Sequence, residues 1–216
     1  MSTESKKQQS PIVGVNINLS YRTLRKTVGI LGILLPVFLI AGNSWQVERA
    51  ISFYYYTKMS TVFTGILISF ALVLITYKGT ALQNEKVREN TLTHLGGFFA
   101  LLVALIPTKF GEDITSSLFY AHNDIIRGMI HDVSALLFIF LMGLVVLLKF
   151  SKAKYYQLFY KRMGWLVMLG LAFTIYAYFY KLNNNTQLFK GAVFWGESFS
   201  LWAFGFAWLR RGVPKN

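Results

Sequence analysis

The sequence predicts an all-α integral membrane bundle of six transmembrane helices, with the N- and C-termini in the cytoplasm. Three observations lead to this fold class. First, 54% of the 216 residues are hydrophobic and only 14% are charged, whereas about 25% of the residues of a soluble domain are charged. Second, six apolar segments are long enough to cross a hydrocarbon core, which needs roughly 17–25 helical residues. Third, the lysines and arginines concentrate in alternate connections between these segments.

The six apolar segments follow one another along most of the chain. The first, "TVGILGILLPVFLIAGNSW", contains no charge and one proline, Pro36, which we expect to kink the helix rather than break it. No small-x-small cleavage site follows it, so we do not expect a cleaved signal peptide. The fourth and sixth segments are less uniform, because they contain His131, Asp132 and Glu197. The segments are placed at 27–45, 59–77, 92–108, 131–149, 163–180 and 191–209.

The basic residues predict the orientation. Sixteen of the 22 lysines and arginines lie in the N-terminal tail, the second and fourth connections and the C-terminal end. Cytoplasmic flanks of membrane helices carry such an excess, which indicates cytoplasmic termini and an even number of spans. The predicted organisation is a basic cytoplasmic tail over 1–26, a membrane domain over 27–212 and a cytoplasmic end over 213–216. The net charge of +13 then reflects topology and attraction to anionic lipid, not a nucleic-acid partner.

Small residues and aromatic clusters have structural interpretations. Gly96, Ala100 and Ala104 repeat at four-residue spacing in the third segment, and Gly65 and Ser69 do so in the second. Small residues at this spacing let helix backbones approach closely. The clusters "FYYYT", "KYYQLFYKR" and "YAYFYK" lie at segment ends, where Tyr and Trp form an interfacial belt.

Glu197 is the most informative candidate for a functional residue. It lies about six residues inside the last segment. A charged side chain at the bilayer centre costs about 2.5–3.5 kcal/mol on insertion scales, so this carboxylate must face the bundle interior, a partner or water. Two interpretations remain open. Glu197 is either a ligand-binding or proton-handling group, or it forms a structural hydrogen bond to a Tyr, Trp or His of another helix.

His131 and Asp132 open the fourth segment at the same predicted outer level. Asp132 would lie in the first helical turn, where the helix dipole stabilises a negative charge by roughly 0.3–1 kcal/mol. For His131 we consider both a place in a polar pocket and solvation at the membrane interface. The chain has no cysteine, which excludes disulfides and thiol catalysis. No phosphate-binding, dinucleotide, serine-hydrolase or diagnostic metal motif occurs, and we expect no cofactor or metal.

Several strings resemble an uncharacterised bacterial family of six-span membrane proteins, distantly DRAM/Sfk-like, over about Tyr21 to Gly212. They are "YRTLRKTVGILGILLPVFLIAG", "ISFYYYT", "FTGILISFALVLITYKG", "ALIPT", "IHDVSALLFIF" and "ESFSLWAFGFAWLRRG". The resemblance implies a multi-pass protein of the bacterial inner membrane, but it implies no particular activity. It marks six residues that the predicted topology places near the outer side. These candidate ligand-binding residues are Ser52, Tyr55, Thr57, Thr108, His131 and Glu197.

The leading functional hypothesis is a non-enzymatic membrane protein with an outward-facing polar pocket. Its expected partners are membrane lipids, a small ligand, another membrane protein or a second copy of the chain. One alternative is a membrane-embedded lipid hydrolase, assisted by a metal. A transporter or channel subunit is less favoured, because the inner halves of the first, fourth and fifth segments are almost wholly apolar.

Overall fold

The computed structural model describes residues 12–79, 88–109 and 124–213. Within these ranges all regular secondary structure is helical, and an α-helix covers most of each of the six predicted segments. A 3-10 helix, Ile51–Tyr56, precedes the second α-helix, and a π-helical turn, Val145–Lys149, continues the fourth. The α-helices are α1 (Ile12–Gly42), α2 (Ser60–Thr76), α3 (Glu89–Leu105), α4 (Asp124–Leu144), α5 (Gln157–Asn184) and α6 (Ala192–Gly212).

Three helices in the described ranges are long and apolar enough to cross a membrane. They are Tyr21–Gly42, Ile125–Lys152 and Gln157–Asn184, and Ser60–Thr76 is a shorter apolar helix. The all-helical class and its compatibility with a membrane are therefore confirmed. The full count of six spans and the orientation of the termini stay predictions.

Four α-helices, α1, α3, α4 and α5, begin before their predicted segments, and the differences are largest for α1 and α4. α1 begins at Ile12, inside the predicted tail of 1–26, and continues through Pro36 as expected. α4 begins at Asp124, which places Asp132 in the third turn. The interpretation of Asp132 as a first-turn charge is wrong, because the helix dipole acts within the first turn.

The six α-helices pack as a ring in chain order, and α6 closes the ring against α1. Glycines make this closure possible. A Cβ atom added at Gly205 would lie 2.8 Å from the carbonyl oxygen of Gly29, and one added at Gly29 would lie 2.7 Å from that of Gly205. On its other side α6 meets α5, where a Cβ atom at Gly170 would lie 3.0 Å from the carbonyl oxygen of Gly196. α6 is thus held between two helices that are long enough to cross a membrane.

Of the two predicted small-residue stripes, one is buried between helices and the other is exposed. Gly96, Ala100 and Ala104 are buried, as the packing interpretation requires. In α2, however, a Cβ atom added at Gly65 would meet nothing within 4 Å. The hydroxyl of Ser69 donates a hydrogen bond back to the Gly65 carbonyl (2.8 Å). The prediction of close helix packing is wrong for this stripe, because it faces away from the other helices.

Side-chain contacts define two ends of the bundle. At one end, Arg25 in the first half of α1 contacts Tyr77, which follows α2. This end also contains the last turn of α6, and we call it the basic end. At the other, the 3-10 helix meets Glu197 at the start of α6, near Asp132 of α4. We call this second end the carboxylate end. It contains all six predicted site residues.

Candidate functional site

Asp132 is the centre of a polar network at the carboxylate end. The hydroxyl of Thr108 donates a hydrogen bond to its Oδ1 atom (3.2 Å), and the hydroxyl of Tyr178 donates one to its Oδ2 atom (3.2 Å). Thr108 follows α3 and is buried, whereas Tyr178 is 38% exposed on α5. The Asp132 carboxylate of α4 thus connects α4 to the end of α3 and to α5, and it remains partly exposed.

His131 connects α4 to the end of α3. Pro107 favours an extended conformation at the preceding residue, and Ile106 is extended and ends the helix. The carbonyl oxygen of Ile106 lies 2.5 Å from Nδ1 of His131. The imidazole is buried, and its Nε2 atom has no hydrogen-bond partner among the described residues. Solvation at the membrane interface is therefore the wrong interpretation of His131.

Glu197 anchors the 3-10 helix. Its Oε2 atom accepts a hydrogen bond from the backbone N–H of Ile51 (2.7 Å). The first N–H groups of a helix lack partners within the helix, and Ala50 before it provides no side-chain cap. The carboxylate supplies the missing acceptor. Glu197 thus makes a structural hydrogen bond, but the donor is a backbone amide and not the Tyr, Trp or His side chain that the second interpretation expected. Asp132 lies within electrostatic range of this carboxylate.

The other three candidates support the 3-10 helix and the start of α2. Ser52 is buried within the 3-10 helix. Tyr55 packs edge-on against Phe63 of α2, with 6.5 Å between the ring centroids. The hydroxyl of Thr57 donates to the Tyr54 carbonyl (3.0 Å) and accepts from the backbone N–H of Met59 (3.1 Å). The described contacts of Tyr55 and Thr57 give these two residues a positioning role.

The aromatic cluster at 53–57 differs from a simple interfacial belt. Tyr54 is fully buried, its hydroxyl donates to the Gln46 carbonyl (2.8 Å), and its ring packs against Phe194 of α6. Burial raises the pKa of Tyr54 above its ordinary value. The interpretation as an interfacial ring is wrong for this residue, which belongs to the core.

Two cations lie over one aromatic ring at this end, and one of them is near Asp132, which the sequence did not indicate. The guanidinium carbon of Arg49 lies 5.8 Å from the centroid of Phe53, and Nζ of Lys181 lies 5.9 Å from it. Lys181 is also within electrostatic range of Asp132. Tyr178 and Lys181 are three residues apart on α5, a spacing that puts side chains on one helix face. That spacing was readable in "YAYFYK", but the position of Phe53 was not.

Two further polar side chains also escaped prediction. The hydroxyl of Tyr56 donates a hydrogen bond to the carbonyl oxygen of Thr108. This bond ties the 3-10 helix to the end of α3. Arg127, one turn before His131 on α4, is 1% exposed. A helix that began at 131, as predicted, would place Arg127 in the outer connection before it.

The metal-assisted alternative needs a set of converging ligands. Among the described residues, no three His, Cys, Asp or Glu side chains are grouped so that they could hold a metal ion. The described part of the site therefore offers hydrogen-bond donors, acceptors and charges of both signs.

Comparisons with protein-family models, curated proteins and solved structures find no match to this chain.

Proposed function

We propose that this chain is a six-span protein of a bacterial inner membrane, with both termini in the cytoplasm, and that it belongs to the family its strings resemble. Exposed apolar side chains on every α-helix support this proposal, because soluble proteins rarely expose large apolar patches. α6 also packs between α1 and α5, so it shares their environment. Each α-helix exposes at least one large apolar side chain. In chain order, one example from each helix is given by Phe38, Leu72, Phe98, Phe140, Leu169 and Phe206.

We propose that the carboxylate end binds the polar headgroup of a lipid in the outer leaflet, without chemical conversion. The observation that carries this proposal is the partly exposed Asp132 beside Lys181. These opposite charges lie on neighbouring helices at an open edge of the bundle. A headgroup with a phosphate and an amine would complement both of them.

The hydrogen-bonding capacity of the site favours a primary amine in the ligand. Asp132 can accept charge-assisted hydrogen bonds from an ammonium group, and Lys181 and the exposed Arg49 can donate to a phosphate. A quaternary ammonium has no N–H group to donate. The site should therefore prefer phosphatidylethanolamine to phosphatidylcholine.

The test is native mass spectrometry of the full chain from nanodiscs that contain equal amounts of the two lipids. The unmodified protein should retain phosphatidylethanolamine in excess, and Asp132→Asn should lose that preference. Glu48→Gln is the matched control, because this carboxylate at the same end accepts from Asn43 (3.1 Å) outside the Asp132 network. Equal retention of both lipids by the unmodified protein would refute headgroup binding. Instead, a co-purifying protein at fixed stoichiometry, lost in Asp132→Asn, would assign this end to a partner protein.

A further inference from the structure

A cavity at the basic end has the composition of an anion site. Its volume is about 240 Å³, well above the roughly 10–15 Å³ that a single water requires. Three helices supply its walls: α1, α5 with the residue before it, and α6. Besides Val213, the residues that line it are Arg22, Arg25, Tyr156, Tyr160, Arg210 and Arg211.

The cavity brings like charges together. None of the described residues that line it is acidic. The nearby carboxylate of Glu89 accepts a hydrogen bond from the Tyr77 hydroxyl (2.7 Å), and that hydroxyl accepts one from Nε of Arg25 (2.8 Å). Tyr160 lies within electrostatic range of Arg211, Arg210 and Arg25. Several guanidinium groups converge here, and the lining contributes no opposing charge.

Aromatic rings hold two of the guanidinium groups in place. The guanidinium carbon of Arg210 lies 3.8 Å from the centroid of Tyr156, and that of Arg211 lies 5.2 Å from the centroid of Phe150. Arg211 also interacts with Tyr160 through a side-chain hydrogen bond. A guanidinium stacked on an aromatic ring loses little further freedom when it binds an anion. Its planar fork also matches the oxygens of a phosphate.

We propose that this cavity binds a phosphate group. The phosphate belongs either to the headgroup of an anionic phospholipid in the adjacent leaflet or to a free phosphate compound. Basic pockets between membrane helices on the cytoplasmic side recognise such headgroups, and the predicted orientation places this end in the cytoplasm. The bound phosphate would join α1 to α5 and α6. This site is separate from the carboxylate end, so its test does not depend on lipid binding there, whereas its cytoplasmic placement rests on the proposed orientation.

The test compares two sources of phosphate on the full-length protein. In one arm, native mass spectrometry measures lipid retained from nanodiscs of phosphatidylglycerol mixed with phosphatidylcholine. In the other, inorganic phosphate is titrated against protein in a neutral detergent, and intrinsic tryptophan fluorescence is followed. The variants are Arg22→Gln and the double variant Arg22→Gln/Arg210→Gln, which spare Arg211 and its contacts. Arg162→Gln is the matched control, because Arg162 is exposed on α5 and does not line the cavity.

For a headgroup site, we expect retention of phosphatidylglycerol to fall roughly tenfold or more in the double variant. In Arg162→Gln it should stay within twofold of the unmodified protein. Saturable binding of inorganic phosphate with the same dependence on the variants supports a free phosphate as the source. Arg22→Gln changes only one exposed side chain, so this variant should still fold even if the double variant does not. It should lose less of the bound phosphatidylglycerol than the double variant does. No preference for phosphatidylglycerol together with no phosphate binding, or equal losses in the control, overturns the proposal.

Discussion

At the scale of single residues, hydrogen-bonded polar groups fix the connections between helices. Asp132 accepts from Thr108 and from Tyr178, two residues that are far apart in sequence. Glu197 accepts from the backbone of Ile51. Each carboxylate therefore has a structural task in addition to any contact with a ligand. Substitutions at these positions should change stability even when no ligand is present.

We expect Asp132→Asn to lower the free energy of unfolding by about 1–3 kcal/mol, because an amide keeps only one of the two acceptor oxygens. Tyr178→Phe should cost less, about 0.5–1 kcal/mol, since its hydroxyl is partly exposed. Denaturant titrations in one detergent would measure the single variants and their combination. A double-mutant cycle should show coupling, because the two groups contact each other. Strict additivity would argue against the hydrogen bond between them.

A second residue-scale prediction concerns Tyr77 at the basic end. This fully buried hydroxyl accepts from Arg25 and donates to the buried Glu89. Tyr77→Phe removes both bonds while it keeps the ring packed against Trp208. We expect a loss of about 1–3 kcal/mol in the free energy of unfolding, because the carboxylate of Glu89 loses a donor in a buried setting. Tyr176→Phe, a change at an exposed tyrosine, is the control and should leave the midpoint of unfolding unchanged.

At the scale of helices, close backbone approach decides which glycines matter. α1 and α6 meet at Gly29 and Gly205, where an added methyl group would overlap a carbonyl oxygen. Gly65 on α2 has open space around its Cβ position. The two kinds of glycine look alike in the sequence. Because their surroundings differ, we expect a glycine-to-alanine substitution to have opposite effects on stability at the two kinds of position.

We expect Gly205→Ala to destabilise the protein by about 1–3 kcal/mol, because the methyl group forces α1 and α6 apart. Gly65→Ala should be neutral or stabilising, by up to about 1 kcal/mol, since alanine is the better helix former. Thermal unfolding of both variants in the same detergent would compare them. A loss of stability in Gly65→Ala similar to that in Gly205→Ala would show that α2 packs against something at this face, such as a second copy.

The helix boundaries show how far local sequence signals reach. Apolar composition located all six α-helices and allowed Pro36 inside α1, because hydrophobic length is a property of the chain itself. It placed the start of α4 too late, since the charge of Arg127 interrupts the apolar residues that precede His131. Arg127 is buried in the structure. Hydropathy alone assigns a charged residue to a loop, because it does not register whether the residue is buried.

At the scale of the whole molecule, the chain's lack of cysteine makes the topology directly testable. Six spans place Lys78, which follows α2, in the cytoplasm, whereas a molecule crossed only by the three longest helices would place it outside. We expect Ser44→Cys to react with a membrane-impermeant maleimide in intact cells. Lys78→Cys and Lys154→Cys should react only after permeabilisation. All three positions are exposed. Labelling of Lys78→Cys in intact cells would disprove the six-span arrangement.

The sequence by itself determined the helical class and the apolar segments, and it showed that most basic residues lie in alternate connections. These properties follow from composition and from the order of residues along the chain. It also singled out Glu197, because a carboxylate within an apolar segment is costly anywhere in a membrane.

Only the tertiary structure decided what these groups contact. It made Asp132 the centre of the network, turned Tyr54 into a core residue and gathered arginines from both ends of the chain around one cavity. The ring closure that brings α6 against α1 joins residues more than 160 positions apart, as the hydrogen bond from Trp202 to the Ile33 carbonyl does. Such pairings depend on which helix faces meet, and helix faces with similar hydrophobicity give no local signal of their partner.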